Sequence, residues 1–309
     1  MKILVTGGCG FIGSHIMDLL ICHGFETAAA DDLSSGSLKY LAPHRGKTAF
    51  YPYSILSPEF EDAIKHFMPE AVIHLAAQVS VSRSVQNMVH DAEINILGSV
   101  KLIELAKKYG IKKIIYSSSA AVYGSPQFLP ITTDHPLNPV SPYGISKMIV
   151  EKYLASSQSL FGIEYMVLRF ANVYGPRQNS HGEGGVISVF INDMLQNKHP
   201  VIFGDGKNTR DFIFAGDVAE ANLSALNSST SGVVNISSGI ETSINELAAK
   251  LQQLIGRNIQ PKHQKPRAED IRFSVLCNQS AVNSLNWKPA VTLDEGLRQT
   301  IAFYVHEKS

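Results

Sequence analysis

The sequence predicts an α/β fold: a doubly wound parallel sheet with helices on both faces. Three observations predict it. Short apolar runs alternate with longer stretches of helical periodicity over about the first 170 residues. The apolar runs are continuous rather than alternating, as strands covered on both faces must be. A glycine cluster sits at the first strand–helix junction, where such sheets need a tight turn.

The elements follow in order. Residues 2–6 (KILVT) read as a buried strand, and Phe11 to Leu20 as a helix stopped by Gly24. Thr27 to Ala30 is a second strand ending at Asp31, and Phe50 to Ser54 a third. Ser57-Pro58-Glu59 supplies an N-cap and a first-turn proline for a helix to Met68. Ala71 to Leu75 is a fourth strand, residues 91–109 a long helix stopped by Gly110, and Ile114 to Ser117 a fifth strand. Pro142 to Leu160 is mostly helix and Tyr165 to Phe170 a sixth strand. The rhythm fades after Gly175. Beyond it, Gly204-Asp205-Gly206 predicts a tight turn after Val201-Ile202-Phe203. Ser243-Ile244-Asn245-Glu246 is a capping box opening a helix, and residues 257–270 predict a loop. The expected organisation is a first domain over 1–172 and a smaller mixed α/β annex over 173–309, with the chain crossing back to the first domain. The annex is expected to close over the carboxyl edge of the sheet, where ligands of this architecture bind.

Composition bounds the function. The chain has 309 residues, 44% hydrophobic, with 27 basic against 27 acidic side chains. A balanced charge argues against a protein that holds nucleic acid or membrane surfaces non-specifically. Three dispersed cysteines, Cys9, Cys22 and Cys277, make no disulfide framework, and eleven histidines show no ligand spacing. The expectation is a cytoplasmic protein without a metal or membrane span.

The chemistry begins at Gly7, Gly10 and Gly13, three residues apart between strand and helix. Lacking Cβ atoms, they let the backbone approach a pyrophosphate, and the helix N-terminus supplies free N–H groups. Asp31 follows 18 residues beyond Gly13, where a carboxylate can accept from ribose hydroxyls. It would repel the extra phosphate of NADP, and no Arg or Lys lies between Asp31 and Leu38. The cofactor expected is NAD. Tyr143 and Lys147 are four residues apart, hence on one helix face, and an ammonium beside a tyrosine favours its phenolate. Ser117-Ser118-Ser119 ends the fifth strand. Read alone, each of these last two features is commonplace. Together with the glycine loop, they occur in the order one active site requires.

On TGGCGFIGSH, DDLSSG, HLAAQ, SSSAAVYG, SPYGISK, RFANVYGPRQ, FGDGKNTRDF and NWKPAVTLDEGL, the chain resembles the extended short-chain dehydrogenase/reductase superfamily along its whole length. Within that superfamily it is most similar to the UDP-glucose 4-epimerases. The resemblance implies a Rossmann-type fold with bound NAD, a UDP-sugar substrate and a homodimer. Pairing would run through the helices near 91–109 and 143–160, with Met148, Ile149 and Leu154 as interface or core positions.

Ser119, Tyr143 and Lys147 would be catalytic: Ser119 on the sugar 4-hydroxyl, Tyr143 as acid/base, and Lys147 on the nicotinamide ribose, lowering the tyrosine pKa. Gly7, Gly10, Phe11, Ile12, Gly13, Asp31, Asp32, Ser35, Gly36, Ser54, Ile55, Leu75, Ala76, Ala77, Asn95 and Ser117 would join Tyr143 and Lys147 around the cofactor. Asn172, Val186, Arg210, Arg267, Asp270 and Ser274 would join Ser119 and Tyr143 around the substrate, arginines suiting phosphates by their forked geometry. Two positions depart from the family's pattern: Ser54 stands where an adenine-contacting Asp is common, and Asp32 where Asn is.

Related dehydratases and decarboxylases carry acidic side chains where this chain has Ala120 and Ala121. Alanine moves no proton, so elimination is disfavoured and 4-epimerisation expected. UDP-glucuronate 4-epimerase, decarboxylase, dehydratase and a non-catalytic NAD sensor are the alternatives. Ser274 falls at a gatekeeping position where a Tyr restricts the family to glucose and galactose, so its small side chain predicts room for N-acetylated sugars.

Overall fold

The computed structural model describes residues 1–179, 185–266 and 271–307. Its strands are β1 (Lys2–Thr6), β2 (Glu26–Ala30), β3 (Thr48–Tyr51), β4 (Ala71–His74), β5 (Lys113–Ser119), β6 (Glu164–Phe170), β7 (Asn172–Tyr174), β8 (Val201–Phe203), β9 (Thr209–Phe214), β10 (Gly232–Ile236), β11 (Glu241–Ser243) and β12 (Lys262–Gln264). Its helices are α1 (Phe11–Cys22), α2 (Glu59–Phe67), α3 (Val81–Gln86), α4 (Met88–Ala92), α5 (Gly98–Tyr109), α6 (Pro142–Phe161), α7 (Val186–Leu195), α8 (Ala215–Asn227), α9 (Ile244–Ile255), α10 (Gln279–Leu285) and α11 (Leu293–His306).

Seven strands form one sheet in the order β10-β6-β5-β4-β1-β2-β3. Every neighbouring pair in it is parallel. Apolar side chains of one face, among them Ile3, Val5 and Leu168, pack with Ile16, Met17 and Leu20 of α1 and Val218 and Leu226 of α8. The opposite face packs Leu4, Val72, Ile114 and Val167 with α2, α5 and α6 through Phe60, Leu102 and Leu154. This two-faced burial makes the strands continuously apolar, and it confirms the fold class. The chain steps outward from β1 through β2 to β3, then returns to β4 on β1's other side. The switch point between β1 and β4 opens a crevice at the carboxyl edge.

The second half builds a three-stranded sheet, β11-β9-β7, and a two-stranded one, β12-β8. These pack over a separate cluster that includes Tyr174, Phe190, Phe212, Leu247 and Leu297. One strand of this half, β10, pairs β6 in the large sheet.

Several element bounds differ from the sequence expectation. The third strand runs Thr48–Tyr51 rather than Phe50 to Ser54, because Tyr53 N–H turns back to Tyr51 O at 2.8 Å and ends the pairing. Ser57 does not cap α2, whose N-cap is Pro58, with no side-chain cap bond. The long helix expected over 91–109 is interrupted: Glu93–Leu97 is π-helical, between α4 and α5. The expected 257–270 loop contains β12, paired with β8, and its last four residues lie outside the described ones. The Ser243–Glu246 capping box and the Gly110 helix stop stand as read. Among the described residues, no helix is long and apolar enough to cross a membrane.

Candidate active site

The glycine cradle lies at the β1/β4 switch point. Gly7 has φ +71°, and a Cβ there would meet Ala76 N at 2.9 Å. At Gly13 a Cβ would lie 2.0 Å from Gly7 O. Both sites therefore require glycine, and the loop packs directly against the segment after β4. Gly10 is the N-cap of α1, no side chain caps the helix, and its first turn holds no acid. Phe11, Ile12 and Gly13 thus begin a helix whose leading N–H groups face the crevice, the polarity a pyrophosphate needs.

Asp31 follows the last residue of β2 beneath this loop, 7% exposed. It accepts Cys9 N at 2.9 Å and Leu33 N at 2.8 Å. Burial pushes its carboxyl above the ordinary value against these bonds, and the charge of Asp32 adds to the push. A carboxylate has about four acceptor positions, so capacity remains for ribose hydroxyls. The Asp32 carboxylate accepts Ser34 N at 2.9 Å, and Ser35 is exposed beside it. A Cβ on Gly36 would meet Asp31 Oδ1 at 2.9 Å, so the 31–36 loop is folded tightly on the carboxylate. Ser54 Oγ accepts Leu56 N at 3.3 Å, and Ile55 is buried against Gly98. Leu75, Ala76 and Ala77 are half-buried after β4. Thr6 Oγ1 accepts both Leu75 N and Ala76 N at 3.2 Å, tying the two crevice walls together. The cradle, the uncapped helix start and the acid at the strand end fit a dinucleotide.

Tyr143 and Lys147, the side chains expected to do acid–base work, lie on α6. Ser141 caps the helix by accepting Gly144 N at 3.1 Å, and Pro142 fixes its first turn. A Cβ on Gly144 would lie 2.6 Å from Ala121 O, so glycine lets the helix start dock on the turn that ends β5. That docking brings Ser119 to Tyr143, whose hydroxyls are hydrogen-bonded. Lys147, one turn on, is 3% exposed and donates to Ser117 O at 2.8 Å. Its Nζ lies 5.8 Å from the Tyr143 ring centroid and 4.9 Å from that of Tyr116. Burial pushes Tyr143 up to about 12, against its bond from Ser119, and brings Lys147 down to about 8. Lys147 therefore stays mostly an ammonium at neutral pH but gives up its proton at mildly alkaline pH, and Tyr143 needs further positive charge to act as a base.

Asn95 sits in the π-helical turn, 1% exposed. Its Oδ1 accepts Gln78 N at 2.8 Å, and its Nδ2 lies within 3.2 Å of Gln78 O, Asp91 Oδ1 and Ser146 Oγ. Single π turns recur at functional sites because they free local backbone groups. Here Ser99 Oγ donates to Asn95 O at 2.6 Å.

The expected substrate residues lie on the annex side. Asn172 opens β7 and is exposed, and Val186 opens α7. Arg210, on β9, donates to Thr209 O and Ile271 O, both at 2.7 Å. Ser274 lies on a strap over residues 272–277. Thr209 N donates to Arg272 O at 2.9 Å, and Ile131 N to Val275 O at 2.9 Å. The strap thus joins β9 to the segment leading into α6. Buried Asp211 anchors it, accepting Leu276 N, Ser238 N and Gly239 N at 3.2, 2.9 and 3.1 Å. Arg267 and Asp270 lie outside the described residues.

Sequence reasoning missed the polar network below the site. Ser118 Oγ donates to Glu151 Oε1 at 2.6 Å, and Arg169 pairs the same carboxylate through Nε at 3.0 Å and Nη2 at 2.6 Å. Polar Asp91, Asn95 and Ser99 recur every four residues on one helical stretch. That inward stripe was the available signal.

A dinucleotide cradle opening onto a Ser–Tyr–Lys set defines a class of enzyme, one that moves hydrogen at a hydroxyl-bearing carbon with a bound nicotinamide dinucleotide. The chain belongs to the NAD dependent epimerase/dehydratase family, whose model matches residues 3–237, and NAD is its cofactor. It is 45% identical over 300 residues, 97% of each chain, to a Methanocaldococcus jannaschii protein provisionally named a UDP-glucose 4-epimerase. The solved UDP-glucose 4-epimerase of Thermotoga maritima with UDP-glucose superposes at TM-score 0.97, with 41% identity over 100% of both chains. The UDP-N-acetylglucosamine 4-epimerase of Methanobrevibacter ruminantium, in complex with UDP-N-acetylmuramic acid, superposes at 0.95 with 35% identity, covering 99% of this chain and 98% of that one.

Proposed function

We propose that this chain is a UDP-hexose 4-epimerase that interconverts UDP-glucose and UDP-galactose by transient oxidation at C4. The observation that carries the reading is the Ser119–Tyr143 hydroxyl pair with Lys147 beside it, next to Ala120 and Ala121. The site holds groups that move one hydroxyl proton, and at 120 and 121 it lacks the acid and base that eliminating water would require. The similar UDP-glucose 4-epimerases support the same reading.

In this reading NAD supplies a hydride acceptor and donor at the sugar C4. Ser119 aligns the 4-hydroxyl, and Tyr143 Oη takes its proton and returns it when the other face of C4 is reduced. Lys147 offers positive charge beside Tyr143 and a donor to the nicotinamide ribose. Gly7, Gly10, Phe11, Ile12 and Gly13 hold the pyrophosphate, and Asp31 the adenosine ribose. Ser54 serves the adenine end. Asn172 and Arg210, with Arg267 and Asp270, grip the UDP moiety.

Small Ser274 leaves room at C2, so UDP-N-acetylglucosamine and UDP-N-acetylgalactosamine are substrates as well. Similarity to a UDP-N-acetylglucosamine 4-epimerase supports this. Two copies pair through the helices near 91–109 and 143–160, where Leu97, Tyr153 and Leu160 are exposed. Leu154 is 1% exposed within one copy, hence core, and Met148 packs beside Val122 and Tyr123.

Tyr143→Phe tests the assignment. Interconversion should fall by at least about a hundredfold, while UDP-glucose binding by calorimetry stays within a few-fold of wild type. Retained turnover would sink the catalytic role.

A further inference from the structure

Two buried carboxylates, Asp91 and Glu151, act on the charge of Lys147, and they differ in how their own charge is met. Glu151, one turn along α6 and 4% exposed, is locked to Arg169 by two hydrogen bonds, so a cation already balances it. Asp91, on α4 and 1% exposed, has no cation within salt-bridge distance among the described residues. Its Oδ1 instead accepts two amide donors, Gln78 Nε2 at 2.9 Å and Asn95 Nδ2 at 3.0 Å. A buried carboxylate held by neutral groups alone is costly unless a counter-charge lies near.

The geometry points to that counter-charge. Asn95 Nδ2 also lies 3.2 Å from Ser146 Oγ, and Ser146 donates to Tyr143 O at 2.9 Å. Asp91 is therefore linked through one amide and one hydroxyl to the helical turn that carries Tyr143 and Lys147. We propose that Asp91 is a positioning residue for the reaction: its buried carboxylate is the counter-charge that keeps Lys147 an ammonium beside Tyr143, and its hydrogen bonds hold the Asn95 turn against α6.

The other groups facing Lys147 leave this role to Asp91. His74, at the end of β4, bridges Thr6 Oγ1 at 2.7 Å and Ser99 Oγ at 2.9 Å. Burial, reinforced by the charge of Lys147, drives its pKa down to about 3, so it stays neutral. Tyr116, on β5, is pushed further from ionisation by burial and by the charges around it. Burial lowers the Lys147 pKa; Asp91 opposes it first, and Glu151, already balanced by Arg169, opposes it less. The Asp91 charge also disfavours the Tyr143 phenolate. It therefore holds the proton on both partners until the cofactor's own charge is present.

The activity readout rests on the epimerase reading above; the binding and spectroscopic readouts do not. Asp91→Asn keeps the shape and an acceptor oxygen but removes the charge. With the folded variant checked by its melting curve and by UDP binding, the alkaline limb of kcat, where Lys147 gives up its proton, should move down by about one pH unit. A limb that stays in place while kcat falls would show a purely structural role and overturn the proposal. The wild-type chain gives a second measurement that needs no folded variant at position 91. With 13C-labelled aspartate, the Asp91 carboxyl resonance should inflect as Lys147 titrates, and Lys147→Met should erase that inflection. A resonance flat through the Lys147 titration, or an inflection surviving Lys147→Met, would contradict it. If the wild type shows no epimerase turnover while the resonance inflects, the epimerase reading fails and the coupling stands.

Discussion

The redox crevice and the annex place their side chains by different means. In the crevice, position follows from local geometry. Gly7, Gly13 and Gly144 each stand where a Cβ would strike backbone, at 2.9, 2.0 and 2.6 Å, so strand ends and helix starts dock at fixed distances. In the annex, position follows from contacts far apart in sequence. Arg210 is held by Ile271 O, and the 272–277 strap by Asp211 on one side and Ile131 on the other. The chemistry therefore sits on a rigid, locally encoded frame. Ser274, the proposed determinant of sugar choice, lies on that strap, which is held by contacts outside the glycine frame.

Substitution should separate the two regions. The largest effect is expected at Gly13→Ala. Its Cβ would overlap Gly7 O, a backbone atom with no rotamer to change, so the loss should exceed the about 1–3 kcal/mol of ordinary overpacking. The melting temperature and NAD content of the purified protein should fall together. A variant that keeps both would show that the cradle relaxes more easily than its packing implies.

Next comes Glu151→Gln, which leaves Arg169 buried without its anion and frees Ser118 at the end of β5. A loss of about 3 kcal/mol by chemical denaturation is expected. A loss below about 1 kcal/mol would mean that Tyr123, whose hydroxyl already accepts Arg169 Nη1 at 2.9 Å, suffices to hold the guanidinium.

The smallest effect on the fold, and the sharpest on choice, is expected at Ser274→Tyr. Stability should be unchanged, while kcat/KM for the N-acetylated sugar relative to UDP-glucose should fall at least about tenfold, equivalent to about 1.4 kcal/mol. Equal losses on both sugars would remove Ser274 from specificity.

The same contrast explains what could be read in advance. The parallel sheet, the glycine cradle and the Tyr143–Lys147 spacing were legible because two-faced burial, φ near +70° at Gly7 and helical periodicity each leave a local trace. Ser119, Asn172 and Arg210 came from family resemblance, since nothing local distinguishes them from ordinary turn and loop residues. The π-helical turn at Glu93–Leu97 was not legible. Its cause is tertiary, the demand of Asn95 for Gln78, Asp91 and Ser146. The short β12 was missed for a like reason, since polar Lys262–Gln264 pairs only because β8 lies beside it. The inward spacing of Asp91, Asn95 and Ser99 was legible, but not the hydrogen bonds from Asp91 to Gln78 and Asn95 that the fold adds.

Transient oxidation requires hydrogen to leave C4 and return to that same carbon without exchange with water. Epimerisation of UDP-glucose deuterated at C4, run in ordinary water and followed by NMR, tests this most directly. UDP-galactose retaining the deuterium at C4, with none released to solvent, is the predicted result. Deuterium washed out into water would contradict transient oxidation with an internally held hydride.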